Sequence, residues 1–198
     1  MLLKNRTMPL SNPENLNHII GLAAFRSRFC RSKDIVRLLA LANEVSTFNE
    51  LAGSELCYGD NYSQIFDKAV IDQCRIDLEK WAKLGIKIIT IESNTYPAQL
   101  KTIHDPPILL FVLGEEKLLN LHRNFLAVVG SRKADQVGIS IAEEVSKLAC
   151  ARSICIVSGL AYGIDAAAHR AALTTKNNFP TVAVLGNGLE QVYPARHR

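Results

Sequence analysis

The sequence lacks any hydrophobic run long enough to cross a membrane. No apolar segment reaches the ~18 residues that a spanning helix needs, and the first residues do not follow the order of a secretory signal. The five cysteines are scattered and form no CxxC pair, so neither a disulfide framework nor a zinc site is indicated. These absences predict a cytosolic protein with reduced, mostly buried cysteines and no bound metal.

A strong charge of either sign is also missing. The formal net charge is +4 in 198 residues, which permits an anionic partner without requiring one. Hydrophobic residues make up 48% of the chain, so it can bury a core as one α/β domain or as a small domain beside a larger one. Only residues 1–13, which are polar and contain two prolines, are expected to form a loose arm.

Residues 14–85 have a helical pattern and predict a small all-helical (SAM-like) domain. The segment SKDIVRLLALANEV has Ser32 as a candidate N-cap. Its apolar face consists of Ile35, Leu38, Leu39 and Ala42. A short helix is predicted between Ser46 and Gly53, and a longer one ends at Gly85. The apolar face of this longer helix consists of Phe66, Val70, Cys74, Leu78 and Trp81.

Two roles are open for the helical domain. A helix-hairpin-helix module would bind DNA phosphates through main-chain amides at an apolar-Gly-x-Gly turn. Residues 14–85 do not contain that turn. The absence favours a domain that packs against the rest of the chain or contacts other proteins.

After Gly85 the spacing of apolar residues changes from helical to strand-like. Short apolar runs are found at 86–91, 108–114, 125–130, 154–159 and 181–186, and helical segments at 139–151 and 165–175. Nearly continuous apolar strands alternating with helices are typical of a parallel sheet. The predicted fold class is therefore α/β, with a Rossmann-like, mostly parallel sheet over residues 86–198. Only the first half of a doubly wound sheet follows residue 125.

The turn in VVGSRKADQVG matches neither GxGxxG nor GxxxxGK[ST]. It lies beyond the carboxyl end of a strand, where open α/β sheets bind ligands. Gly130 would let an anion approach the main chain, Ser131 can donate a hydrogen bond, and Arg132 offers a charged fork suited to phosphate. A helix starting near Gly138 would add free amides. The turn is expected to hold a phosphate, and a plain turn with an exposed arginine is the alternative.

Two further strands end in glycine and face the same crevice. SGLAYGID places Asp165 where a helix N-cap belongs, with His169 one turn later on the same face. A cap and a structural role explain this pair better than metal or acid–base chemistry, because no third ligand stands at suitable spacing. The third turn has Gly186 and Gly188. No GxSxG or similar nucleophile is present, so catalysis is not predicted.

These segments together resemble one family. The order typical of the DNA processing protein A family (DprA, also called Smf) is found over about residues 80–198, in YPAQLKTIHDPPILLFVLG, AVVGSRKADQVG, IVSGLAYGIDAAAHRAAL and TVAVLGNGLEQVYP. The resemblance implies a cytosolic protein that binds single-stranded DNA without sequence preference. It further implies that the protein protects incoming DNA and loads the recombinase RecA during natural transformation, with no enzymatic turnover and no cofactor.

The resemblance also implies which residues contact DNA. The expected nucleic-acid-binding residues are Gly130, Ser131, Arg132, Lys133, Ser158 and Gly159, with Arg132 foremost. The residues expected to shape the motif are Gly163, Asp165, His169, Gly186 and Gly188. Strand binding through phosphates, with some base stacking, agrees with an anion-holding crevice on a mildly basic protein.

Two departures from the family pattern bear on this expectation. Asp135 stands where family members often have Ser or Thr, and Val137 stands where they often have Tyr. Asp135 can still cap a helix, but its negative charge would oppose a phosphate nearby. The family's second half of the sheet, with much of its self-association surface, has no counterpart after Arg198. The chain is thus expected to be a C-terminally truncated member in which the family's homodimer is doubtful.

Two other functions compete with this one. A nucleotide-binding enzyme of a related Rossmann-like group would need an acidic motif such as PGGxGTxxE, which the sequence lacks. An inactive remnant, or an interaction module reduced to its helical domain, would be distinguished by its failure to bind DNA.

Overall fold

A computed structural model describes residues 13–27, 32–44, 51, 65–119, 124–176 and 181–191. The contacts between residues divide the chain into two compact units, Met1–Leu119 and Asn120–Arg198. Except for Pro13, the predicted arm lies outside the described residues, and the short helix predicted at 46–53 is described only at Leu51. The domain boundary predicted after Gly85 stays a prediction.

The first unit consists of helices and one pair of strands. Its helices are α1 (Pro13–Arg26), α2 (Ser32–Glu44), α3 (Lys68–Lys83) and the short α4 (Ala98–Lys101), followed by a turn of 3-10 helix at Glu116–Leu119. Its strands are β1 (Ile86–Thr90) and β2 (Leu109–Leu113).

The core of the first unit is built from the apolar faces that the sequence predicts. All four residues of the α2 face are buried. On α3, Cys74 is buried, and Val70, Leu78 and Trp81 are partly buried against the same core; Phe66, which lies just before the helix, is also partly buried there. The helical prediction for both segments is confirmed, and helices with one apolar face gain most of their stability from this packing.

The ends of α3 follow from local chemistry. Asp67 is the N-cap, because its side chain accepts hydrogen bonds from the amides of Ala69 (2.8 Å) and Val70 (3.2 Å). After the helix, Gly85 has a φ of +75°, in the left-handed region that favours glycine. The predicted stop at Gly85 is therefore confirmed.

The strands β1 and β2 form a two-stranded antiparallel sheet. Ile86 lies opposite Leu113, and Thr90 lies opposite Leu109. Both predicted apolar runs are strands, as expected. Among the described residues they pair only with each other and not with the strands that follow.

The second unit has the predicted alternation of strand and helix. Its elements are β3 (Phe125–Ala127), α5 (Gln136–Ala151), β4 (Cys155–Ser158), α6 (Ile164–Leu173) and β5 (Thr181–Ala183). The strands form a parallel sheet in the order β3-β4-β5. The chain thus has the α/β fold predicted, with a parallel sheet that follows a helical N-terminal part.

Small residues dominate the core of the second unit. Its buried apolar cluster consists of Ala149, Cys150, Ile156, Ala168 and Ala172. Four of these five side chains are Ala or Cys, so α5 and α6 can approach each other and β4 closely. The described cysteines, Cys74, Cys150 and Cys155, are buried and are not joined in disulfides. In the described part of the chain, no helix has the length and hydrophobicity needed to cross a membrane.

Candidate nucleic-acid interface

The turns that follow β3, β4 and β5 lie together because the three strands are parallel and in register. The amide of Val184 donates to the carbonyl of Ser158 (2.9 Å), which joins the third turn to the second. The hydroxyl of Ser158 donates to the carbonyl of Val128 (2.6 Å), which joins the second turn to the first. The expectation that three strand ends meet at one edge of the sheet is confirmed.

Gly130 is required by packing. A Cβ atom at this position would lie 2.7 Å from Cγ1 of Ile164, the first residue of α6. Ile164 thus fills the side of Gly130 where a side chain would lie, and the residue itself is exposed, so the predicted approach of an anion stays a prediction. The glycine lets the start of α6 sit directly against the first turn.

Three polar residues follow Gly130 and are exposed: Ser131, Arg132 and Lys133. The hydroxyl oxygen of Ser131 accepts a hydrogen bond from the amide of Lys133 (3.1 Å), which leaves its own hydrogen available to donate. Within the described residues, the side chains of Arg132 and Lys133 form neither hydrogen bonds nor ion pairs. Two positive charges are therefore presented to solvent on one turn.

The start of α5 differs from the prediction in one respect. The helix begins at Gln136, and Asp135 is its N-cap, as the sequence allowed. The Oδ1 atom of Asp135 accepts a hydrogen bond from the amide of Gly138 (2.8 Å). That amide is already satisfied, so Gly138 itself offers no free amide to a ligand.

Asp165 has a different role from the one predicted. The N-cap of α6 is Gly163, and Asp165 is the second residue of the helix, with only 6% of its surface exposed. Its Oδ1 accepts from the amide of Gly130 (3.4 Å), and its Oδ2 accepts from the amides of Gly159 (3.1 Å) and Ala161 (3.4 Å). The cap prediction is wrong because the carboxylate bonds to turns that come before the helix. It holds the first turn and the second turn together.

The glycines of the second turn allow this close contact. A Cβ atom at Gly159 would lie 2.9 Å from Oδ2 of Asp165. Gly163 has a φ of +77°, and a Cβ atom there would collide with the carbonyl oxygen of Ser131. The amide of Ile164 donates to that same carbonyl (3.2 Å). Main chain therefore packs directly on main chain at this point.

Two other features of the second turn were missed by sequence reasoning. Leu160 has a φ of +58°, which is uncommon for a residue with a side chain and is found at sites that are held under strain. Tyr162 is 40% exposed and precedes Gly163, whose main chain contacts Ser131 and Arg132. An exposed aromatic residue adjacent in sequence to a glycine that packs on the basic turn is a candidate surface for base stacking. The signal for Tyr162 was its place between Ala161 and Gly163 in the family motif.

The remaining predicted residues lie away from solvent or in the third turn. Ser158 is buried, and His169 is buried with its Nδ1 2.6 Å from Oγ1 of Thr181, which joins α6 to β5. The described residues contain no cluster of three or more His, Cys, Asp or Glu side chains that could bind a metal ion. Gly186 and Gly188 have open space where a Cβ would be. Their predicted role in shaping the motif stays a prediction.

Comparison with known proteins places the chain in a family. Residues 87–198 match the sequence profile of DNA recombination-mediator protein A. The chain is 37% identical over 117 residues to the DNA processing protein DprA of Bacillus subtilis, covering 59% of this chain and 38% of that protein. It is 44% identical over 110 residues to protein Smf of Escherichia coli, covering 56% of this chain and 28% of that protein.

A solved structure agrees with these matches. The X-ray structure of DNA processing protein A (DprA) from Streptococcus pneumoniae superposes with a TM-score of 0.61 at 28% sequence identity, covering 92% of this chain and 61% of that one. The chain spans well under half of the length of the two curated relatives it matches. Because the profile match covers more than half of the 198 residues, the chain belongs to the DNA recombination-mediator protein A family.

Proposed function

We propose that this chain binds single-stranded DNA without sequence preference, protects incoming strands and takes part in DNA processing during natural transformation. The observation that carries the proposal is the exposed turn Ser131-Arg132-Lys133, which lies beyond the carboxyl end of β3. Arginine and lysine side chains that have no partner among the described residues are suited to replace the counterions of a phosphate backbone.

The rigidity of this turn supports the proposal. The turn is held by the hydrogen bond from the amide of Gly130 to Asp165 and by the contact of Gly163 with Ser131. A turn fixed in this way loses little conformational freedom when it binds a flexible strand. We therefore assign Ser158 and Gly159, which were expected to contact DNA, the task of holding the turn: Ser158 is buried, and Gly159 packs on Asp165.

Base stacking is the second part of the proposed binding mode. Tyr162 is exposed and adjoins the residue that packs against Arg132. Every base has a π-face, so stacking on Tyr162 would add affinity without sequence preference. Phosphates on Arg132 and Lys133 and a base on Tyr162 would together position one short stretch of strand.

We further propose that the chain acts by binding and does not turn over a substrate. The two side chains considered for metal or acid–base chemistry are engaged inside the fold, Asp165 with three amides and His169 with Thr181. Groups used in this way support the fold and are poorly placed to exchange protons with a ligand. The transfer of the strand to RecA belongs to the same proposal and rests on family membership.

The test is fluorescence anisotropy of a labelled oligo-dT strand with the full chain over a series of salt concentrations. Arg132→Ala is expected to lower the affinity by about tenfold, because a charge-assisted contact to phosphate is lost. It should also reduce the slope of log affinity against log salt by ~0.7 for each phosphate contact removed. Tyr162→Ala should weaken binding with the salt slope unchanged, and Tyr162→Phe should retain it.

The matched control is Arg37→Ala, which removes the same charge from an exposed position on α2 in the first unit. It is expected to leave the affinity close to that of the parent chain. An equal loss for Arg37→Ala and Arg132→Ala would refute the proposed site and point to binding by net charge or by the helical unit. No binding by the folded parent chain would refute the proposed function itself.

A further inference from the structure

Four main-chain amides at the edge of the sheet, those of Gly130, Gly138, Gly159 and Ala161, are already bonded to the chain's own carboxylates. In many βα turns, these amides bind the phosphate of a nucleotide. Here the amides of Gly130 and Gly159 donate to Asp165, and the amide of Gly138 donates to Asp135. Both helices that begin at this edge, α5 and α6, therefore have an internal anion at their N-terminal ends.

The carboxylate of Asp165 fits too closely for a ligand to replace it. The side chain is buried, and its Oδ2 lies where a Cβ on Gly159 would come within 2.9 Å. Ile164 fills the space beside Gly130 in the same way. Gly130 and Gly159 are themselves exposed, but a phosphate that approached their amides would have to displace the Asp165 carboxylate, whose negative charge would repel it at short range.

Asp135 lies at the start of α5, which forms the rim of the same sheet edge. It is exposed, and its Oδ1 lies 2.8 Å from the amide of Gly138, a distance typical of a strong hydrogen bond to a carboxylate. A hydroxyl residue in this position would also cap the helix, but it would leave the positive end of the helix dipole without a charge. The acidic cap therefore lowers the attraction of the rim for a small anion.

We propose that Asp165 and Asp135 determine specificity by closing this crevice to the terminal phosphate of a free nucleotide. The ligand is then held from outside, by the side chains of Ser131, Arg132 and Lys133, as an extended polyanion. This inference rests on the proposed function, since it concerns how the same turn selects a strand over a mononucleotide. Neither aspartate is a DNA contact; each acts by occupying or opposing a phosphate position.

The experiment uses the full chain and labelled oligo-dT at constant ionic strength, with inorganic phosphate or thymidine monophosphate replacing part of the chloride. The expected result is that neither compound displaces the strand beyond the effect of chloride. Displacement of the strand by either compound in the parent chain would overturn the inference, because it would show an accessible phosphate site.

Variants of the two aspartates, with one matched control, make the test more specific. Asp135→Ser keeps a helix cap and removes one charge, so strand affinity should rise by roughly two- to fivefold and inorganic phosphate should begin to compete. Asp67→Ser is the matched control, since Asp67 is the N-cap of α3 in the first unit and should leave binding unchanged. Equal effects of the two variants would overturn the role of Asp135. Asp165→Asn removes the charge but keeps the side-chain volume, so phosphate should still fail to compete if circular dichroism shows that the variant folds; competition would show that packing does not close the site.

A separate readout distinguishes this inference from the proposed function. If the folded parent chain does not bind the strand, the proposed function fails, and the inference is then tested by thermal unfolding alone. At matched ionic strength, a few millimolar phosphate should leave the melting temperature of the parent chain as it is in chloride, since stabilisation by exclusion of phosphate from the surface needs far higher concentrations. A rise that saturates at low millimolar phosphate would indicate binding to the folded state and would overturn the inference.

Discussion

The two units of the chain differ in the kind of side chain that forms the interior of each. In the first unit, the fully buried residues are mostly large and aliphatic: Ile20, Leu22, Leu38, Leu39, Leu51, Ile65 and Ile89. Among the described residues of the second unit, Ile156 is the only large aliphatic side chain buried to that degree. Its other buried residues are small or polar, including Ser158, Asp165 and His169.

This difference means that the interior of the first unit mainly contributes stability, whereas the interior of the second unit also fixes the positions of turns. Burial of apolar surface is favourable but has no direction, so it stabilises the first unit without fixing any one turn. Hydrogen bonds are directional, and those of Ser158, Asp165 and His169 each join two different elements of the second unit. The second unit, which presents Arg132, is thus the unit whose hydrogen bonds hold main-chain turns in place.

The largest effect is expected from breaking the aliphatic core of the first unit. Leu39→Ala should lower the free energy of unfolding by about 2–5 kcal/mol, because it deletes buried methyl groups and leaves a cavity. Trp81, the single tryptophan of the sequence, packs edge-on against Phe111 in this unit, so its fluorescence reports the transition. Leu113→Ala, at a position that is 58% exposed, is the control. Equal shifts of the urea midpoint for both variants would contradict the comparison.

A smaller effect is expected from Gly163 in the second unit. Gly163→Ala puts a side chain at a φ of +77° and against the carbonyl oxygen of Ser131, which should cost about 1–3 kcal/mol. Hydrogen exchange should speed up in peptides from α6, including the amide of Ile164 that donates to Ser131. Gly188→Ala, which has open space at its Cβ position, should leave exchange unchanged. If both variants behave alike, main-chain packing does not hold the turn.

The elements that the sequence predicted well are those set by local periodicity. The α2 face, the α3 face with its stop at Gly85 and the apolar runs that form the five strands follow from spacings within one segment. The antiparallel partnership of β1 with β2 is not encoded in such spacings, because an apolar run does not specify its partner. The start of α5 was placed too late for a related reason: Asp135 precedes the apolar period it caps.

The sequence predicted where the candidate site lies better than it predicted the contacts that form the site. The Gly-Ser-Arg turn lies at the strand end where the sequence put it. The cap predicted for Asp165 was wrong and the packing of Gly130 was not foreseen, because both depend on contacts distant in sequence: Gly130 meets Ile164, and Asp165 bonds to Gly130, which is 35 residues away. The N-cap rule considers only the few residues that follow a polar side chain, so it assigned Asp165 as the cap of α6.

The smallest expected effect concerns Cys74 in the core of the first unit. Burial raises the pKa of the Cys74 thiol; Arg26, whose guanidinium is 3.8 Å from Sγ, lowers this pKa by less. A folded pKa above the unfolded value means that the contribution to stability is fully present below the unfolded pKa of a thiol. It is lost as the pH rises through the folded pKa. The first unit should thus become less stable in the alkaline range.

Comparison of the parent chain with Cys74→Ala isolates this contribution, because Tyr96 also has a pKa raised by burial and remains in both proteins. Urea unfolding followed by Trp81 fluorescence at neutral and at alkaline pH gives the stability difference between the two chains. That difference should shrink as the pH rises, because the parent chain loses stability on thiol ionisation and the variant has no thiol to ionise. A constant difference across the alkaline range would mean that the thiol is solvated in the folded state, which would place Cys74 outside the dry aliphatic core that distinguishes this unit from the other.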